Sequence, residues 1–224
     1  MSYKQIISEV EIPAYTKKQE IFNAFSHALG LPFAFIILLI SLIKYHENAL
    51  LLGHFIGLTI FALAIVAVYL VSTIYHASKS TSFHKKVLRV LDHCTIFLLI
   101  AGTYTPICVY LMDINVIGFV MLIIEWASAF AGIILNAFFF KNKVVQIVSL
   151  VLYLAMGWLV LFCGGFIYMP ILSFGFVLAG GIIYSIGAIL YAIGHKNLNY
   201  HCVFHVFVLV STIVQAIGVL VLFF

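Results

Sequence analysis

The stretch NYHCVFHVFVLVSTIVQAIGVLVLFF, residues 199–224, decides how the rest of the sequence is read. After His205 it has no charged side chain, and its only clearly polar groups are Ser211, Thr212 and Gln215. About 20 apolar residues, rising about 1.5 Å each along a helix, cross the hydrocarbon core of a bilayer. The segment therefore reads as a transmembrane helix. Yet it opens with two imidazoles, His201 and His205, whose four-residue spacing puts both on one helical face.

The same character extends outward. The chain of 224 residues is 65% hydrophobic and 8% charged, against about 25% charged in soluble domains. A bilayer is the solvent that fits, and no room is left for a soluble domain. Windows of spanning length fall at about 22–43, 49–75, 91–112, 115–139, 144–166, 170–194 and 201–224. The breaks read KYHEN, ASKSTSFHKK, MDIN, KNK, YMP and HKNLN, the fifth-to-sixth boundary resting on Tyr168 and Pro170 alone. The expected fold is an all-α membrane protein, a seven-transmembrane helix bundle over residues 21–224 behind a polar cytoplasmic segment, residues 1–20. That segment lacks the apolar core and small-residue cleavage site of a signal peptide.

Ten of the eleven basic residues fall on one side of this bundle: Lys4, Lys17, Lys18, Lys79, Lys85, Lys86, Arg89, Lys141, Lys143 and Lys196. Lys44 alone falls on the other. The positive-inside rule then puts the N-terminus in the cytoplasm and the C-terminus outside, in the plasma (cytoplasmic) membrane. The net charge of +4 is explained by these loops meeting anionic lipid, and gives no sign of nucleic acid. Cys94, Cys108, Cys163 and Cys202 lie in apolar segments without a CxxC pair, as buried small hydrophobes do.

With this topology, His27, Ser72, His76, Asp92, His93, His201 and His205 reach one level just inside the inner leaflet, with Glu20 and Asn23 below His27 on the same face. Ionisable groups at membrane depth are costly, so they face the bundle and pair or bind something. His201 and His205 can hold one ion, and His76 can approach it from helix two. Three protein ligands plus water is the usual catalytic zinc arrangement, and imidazoles without sulfur leave zinc as the default. Asp92 is either a fourth ligand or the group that holds and deprotonates the water. His93 reads as a supporting or interfacial group, and His46, His54, His84 and His195 as structural or solvated. Glu125, near the middle of helix four, is either protonated and hydrogen-bonded inside the bundle or lines a polar cavity. Gly180, Gly181, Ser185 and Gly187 permit close helix approach or a flexible wall. No helix interior carries a lysine for retinal, and an i, i+4 histidine pair crowds one ion rather than a haem.

The stretches EIFNAFSH (20–27), STIYHASKSTSFHKKVLRVLDHCTIFLLIAGTYTP (72–106), LYLAMGWLVL (152–161) and HCVFHVFVL (201–209) occur in this order. Together they resemble the hemolysin III branch of the progestin and adipoQ receptor (PAQR) family, from about residue 19 to the end. That family is similar in its motifs to the alkaline ceramidases, and the resemblance implies a seven-helix, zinc-dependent hydrolase of lipid amides. It implies zinc on His76, His201 and His205, Asp92 positioning the water, and Ser72 as its hydrogen-bonding neighbour. Glu20, Asn23 and His27 match the family's first-helix motif. Implied roles extend from membrane lipid homeostasis to haemolysis. The expected partner is a membrane lipid, as substrate or ligand, and the alternative is a receptor-like or membrane-sensing protein stapled by zinc. A pore is disfavoured, because only Glu20, Asn23, Glu125, Asn136 and Gln215 can line a polar path.

Overall fold

The structure is a computed structural model that describes residues 2–79, 82–193 and 197–224; His195 and Lys196 lie outside the described residues. Those residues form helices and no strands. A short α1 (Tyr3–Ser8) is followed by α2 (Lys17–Ala28) and α3 (Leu31–His46), then α4 (Leu52–Ala77), α5 (Phe83–Met112) and α6 (Ile117–Phe139). Next come α7 (Lys143–Gly157), α8 (Leu159–Phe162), a 3-10 turn (Gly165–Tyr168), α9 (Ile171–Ile193) and α10 (Asn199–Val221).

Among the described residues, six segments are long and apolar enough to cross a membrane: Lys17–His46, Leu52–Ala77, Phe83–Met112, Ile117–Phe139, Ile171–Ile193 and Asn199–Val221. Their outward faces carry apolar side chains that water would not tolerate as a continuous coat, such as Ile171 at 84% exposure and Phe35 at 65%, which marks a surface covered by lipid. The protein is a multi-pass membrane protein.

The expected fifth helix, 144–166, is corrected. It is not one rod: α7 stops at Gly157, and its 15 residues reach only about 22 Å. Tyr104 mends the break by donating to Gly157 O (2.7 Å) and accepting from the Val160 amide (3.4 Å). Trp158 Nε1 donates to Ser185 Oγ of α9 across 3.1 Å. The chain then turns at Gly164, whose φ of 72° suits a residue without Cβ. Two further expected boundaries move. The first span begins at Lys17 and bends at Leu29–Gly30, where a Cβ on Gly30 would meet the Tyr69 ring at 2.5 Å. The third helix begins at Phe83 rather than near 91, behind a Ser82 cap whose side chain accepts from the Lys85 amide. Lys85, Lys86 and Arg89 are therefore helical, not loop, residues.

Contacts identify the two ends of the bundle. At one, Gln19 bonds Asn199 (2.8 Å), Lys86 bonds Ser8 O, and Lys141 bonds Glu9 (3.1 Å). Here residues 2–10 pack down, with Ile7 and Val10 buried against Val90, Cys94 and Phe140. At the other end His54 bonds Asp113 (2.7 Å) and Asn115 bonds Tyr168 (3.1 Å). Close pairs hold the layers: α4 on α5, α5 on α6, α9 on α10. In contrast α7 leans on α6 and barely meets α9.

Small residues set these distances. A Cβ on Gly118 would stand 2.4 Å from Cys108 O and 2.5 Å from Met112 N, both backbone atoms that cannot swing aside. Gly180 and Gly187 would likewise strike Gln215 (2.3 Å) and Phe207 (2.8 Å) of α10, so the close-approach expectation holds at both. Gly118→Ala is expected to lower thermal stability in detergent by about 1–3 kcal/mol, the usual range for overpacking. Gly175→Ala has open space around it and should hold or slightly raise stability; equal melting of both variants would refute the packing argument.

Candidate metal centre

Three histidine rings converge near the end of the bundle that carries the N-terminus. His76 is on the last turn of α4; His201 and His205 share one face of α10. Their Nε2 atoms line up at 2.9 Å (His205 to His201) and 3.4 Å (His201 to His76). Ligand atoms of a tetrahedral zinc at about 2.0–2.1 Å lie about 3.3 Å apart, so the spacing fits. One ligand atom from each falls within 4.8 Å of the others, a group that could hold a metal ion. Asp92 lies outside that group.

The tautomer of His76 is fixed from behind. Its Nδ1 donates to Glu20 Oε2 at 2.7 Å, which leaves the Nε2 lone pair facing His201. Such a carboxylate–histidine pair orients a ligand ring and raises its basicity. Glu20 is held in turn by the Lys85 ammonium, which is buried to 1% exposure and also donates to Ser78 O (3.0 Å). His205 stacks on His27 with ring centroids 3.7 Å apart. Among the described residues neither His27 nitrogen has a hydrogen-bond partner, and the buried Asn23 amide faces the Cys202 thiol. Tyr15, from the strand-like stretch before α2, lays its ring against His76 (5.5 Å) and His201 (5.2 Å). Burial pushes its phenol well above the ordinary range, so it stays neutral.

Ser72, one turn before His76, faces the Asp92 carboxyl of α5 without a hydrogen bond of normal geometry. His93 turns to the Arg89 carbonyl (2.9 Å) and packs edge-on to Phe140. Glu125 stands apart, on α6 beside Tyr104 and Cys108. Fully buried, it lines neither chamber described below, and neither oxygen has a hydrogen-bond partner among the described residues.

Two chambers meet at the histidines. The larger, about 630 Å³, follows α5 from Arg89 to Tyr104, between α7, α9 and α10. That run of sixteen residues is about 22 Å from end to end. Its walls are mostly apolar, as at Leu99, Leu154, Ala188 and Val208; it is partly open, and α7 and α9, which both line it, meet only sparsely. The smaller, about 140 Å³, lies under Pro13 and Tyr15. Arg89, Asp92, His93, Tyr191 and His201 line both.

Residues 15–216 match the Haemolysin-III related family. The chain belongs to this family. It is 36% identical over 200 residues to the "Hemolysin-3 homolog" of Bacillus subtilis (strain 168), covering 87% of this chain and 90% of that one. It is 35% identical over 196 residues to the "Hemolysin-3" of Bacillus cereus, covering 86% of each. The hemolysin III resemblance read from the sequence holds.

In this haemolysin-III-related protein the structure brings together His27, Ser72, His76, Asp92, His201 and His205, with Glu20 behind them. Sequence reading missed Tyr15, Lys85, Arg89 and Tyr191. One signal was available: Ser82 as a helix cap puts Lys85, Arg89 and Asp92 at i, i+4 and i+7, on one face. Glu20→Gln is expected to weaken metal binding by about 10–100-fold, measured by competition with a chelator on purified protein. His54→Ala, at the far end, should leave affinity unchanged; matched affinities for wild type and Glu20→Gln would refute the orienting role.

Proposed function

We propose that this haemolysin-III-related protein is a zinc-dependent hydrolase of membrane lipid amides or esters, serving membrane lipid homeostasis. It works in the cytoplasmic membrane on seven transmembrane helices, N-terminus inside and C-terminus outside. The broken stretch from α7 to the 3-10 turn is the fifth of the seven crossings. In favour of the orientation, Lys79, Lys85, Lys86, Arg89, Lys141 and Lys143 lie at the end that carries the N-terminus. The observation that carries the reading is the junction itself: a mostly apolar chamber and a small one under the N-terminal segment share a wall at His201 and Asp92, beside the three-histidine group.

Zinc on His76, His201 and His205 supplies Lewis acidity toward water and toward an acyl oxygen, and three protein ligands leave a position open for them. The chain's own residues do the rest. The large chamber takes the acyl chain and excludes bulk water, which strengthens each polar contact inside. Water enters through the small chamber. Asp92 takes a proton from the attacking water as the acyl bond to nitrogen or oxygen breaks. It returns that proton to the leaving amine or alcohol, so atoms and charge balance. Ser72 hydrogen-bonds the aspartate, and His27, stacked on His205, lines the chamber with unpaired nitrogens that can bond the head group. In support of a base rather than a fourth ligand, Asp92 lies outside the set of mutually close ligand atoms.

Asp92→Asn keeps the size and a hydrogen bond but is no base. Zinc stoichiometry should stay near wild type, while the lipid changes caused by expressing the protein fall about a hundred-fold or more. Joint loss of zinc and lipid effect would instead support a structural staple. For topology, a reporter active only in the cytoplasm should work at the N-terminus and fail after Phe224; activity at both ends would mean an even number of crossings.

A further inference from the structure

Lys85 is paired with Glu20, and Lys141 with Glu9. Arg89 is different. Its side chain sits over the Phe140 ring, 5.6 Å from the centroid, and it donates to the Glu11 carbonyl. Among the described residues no carboxylate lies within ion-pair distance of it. It lines both chambers, three residues before Asp92. A guanidinium offers five donors in a planar fork that matches phosphate, and only one of those donors is used here by a recorded bond. Lys143, exposed at the start of α7, stands at the mouth of the same chamber and has no recorded partner among the described residues.

We propose that Arg89 is a head-group-binding residue, and that the ligand of the large chamber is a phospholipid with an anionic phosphate head and its acyl chain along α5. Charge complementarity and length both fit. Glu20 is offset by Lys85 and the histidines are neutral ligands, so Asp92 is the remaining carboxylate; a divalent cation on the histidines leaves the junction net positive. Arg89 precedes Asp92 by about 4.5 Å along the helix axis, the scale of the few bonds between a lipid phosphate and its first acyl linkage. With the phosphate on Arg89, that linkage reaches the level of Asp92 and the histidines. From Asp92 to Tyr104 the chain then has about 18 Å of mostly apolar wall in a volume within the roughly 300–1,000 Å³ of small-ligand sites. Lys143 adds a second positive charge at the mouth.

This inference rests on the lipid-binding part of the reading above and not on turnover, so binding is what is measured. Full-length protein purified in detergent is titrated with oleoyl lysophosphatidic acid, oleoyl lysophosphatidylcholine, oleate and inorganic phosphate, and followed by native mass spectrometry. The lysophosphatidic acid is expected to bind about tenfold or more tightly than the choline lipid, because charge-assisted bidentate bonds favour the accessible phosphate. It should also exceed oleate and inorganic phosphate. Arg89→Gln should shrink the head-group preference to about twofold, Arg89→Lys should keep part of it, and Lys143→Gln should reduce it. Ala188→Trp, which fills the apolar wall, should weaken both lysolipids without changing their order. Equal binding of the two lysolipids by wild type overturns the proposal, whatever the variants do. So does oleate or inorganic phosphate matching lysophosphatidic acid, and so does a preference that survives Arg89→Gln. A clear preference with no lipid cleavage in the same samples would leave this inference standing and count against the hydrolase.

Discussion

The ion pair between Lys85 and Glu20 is the constraint from which the metal centre follows. An ammonium at 1% exposure inside an apolar bundle cannot stay charged there without a partner, and Glu20 is the carboxylate that meets it. Removing one member of such a pair costs about 3–5 kcal/mol, because the other is left buried and unpaired. Here the cost is structural as well. Glu20 is on α2, Lys85 on α5, and the second carboxylate oxygen holds His76 of α4. One side chain thus ties three helices and fixes the tautomer that turns a lone pair toward α10.

From that lock the geometry spreads outward. Tyr69 of α4 bonds Thr212 of α10 (2.8 Å) and packs edge-on to His27, so the helices carrying His76 and His205 keep their register about two turns deeper. Tyr184 of α9 shares the same threonine hydroxyl. Thr212, one of the polar groups that the last helix carries into the lipid depth, is therefore spent on holding α4, α9 and α10 together, while Ser211 bonds back to the Phe207 carbonyl within α10. α7 is tied near the centre through Tyr153, which donates to the His93 carbonyl of α5 (2.8 Å). It is joined to the bundle chiefly through α6, with Tyr104 and Trp158 at its broken end, and the large chamber fills the space it leaves.

Much of this was legible in the sequence. The i, i+4 histidines, the SxxxH at 72–76 and Asp92 carry their own spacing, and apolar runs located six spans. What stayed hidden has physical causes. Lys85 and Arg89 sit among basic residues that flank a membrane segment, and hydropathy assigns such residues to a loop; α5 instead continues about two turns past its apolar core. The Gly157–Trp158 break lies within an unbroken apolar run, where hydropathy cannot register a change of backbone. Tyr15 belongs to a stretch without periodicity, and its place over the histidines depends on α1 docking through Ile7 and Val10. Glu125 could be flagged from the sequence as costly, but its surroundings could not.

The central claim is that three imidazole nitrogens from α4 and α10 converge on one ion. Zinc K-edge X-ray absorption on the purified, zinc-loaded protein tests it most directly. The account predicts three nitrogen scatterers with the multiple-scattering pattern of imidazole at about 2.0–2.1 Å, one additional oxygen and no sulfur. A shell containing sulfur, or fewer than two imidazoles, would contradict it.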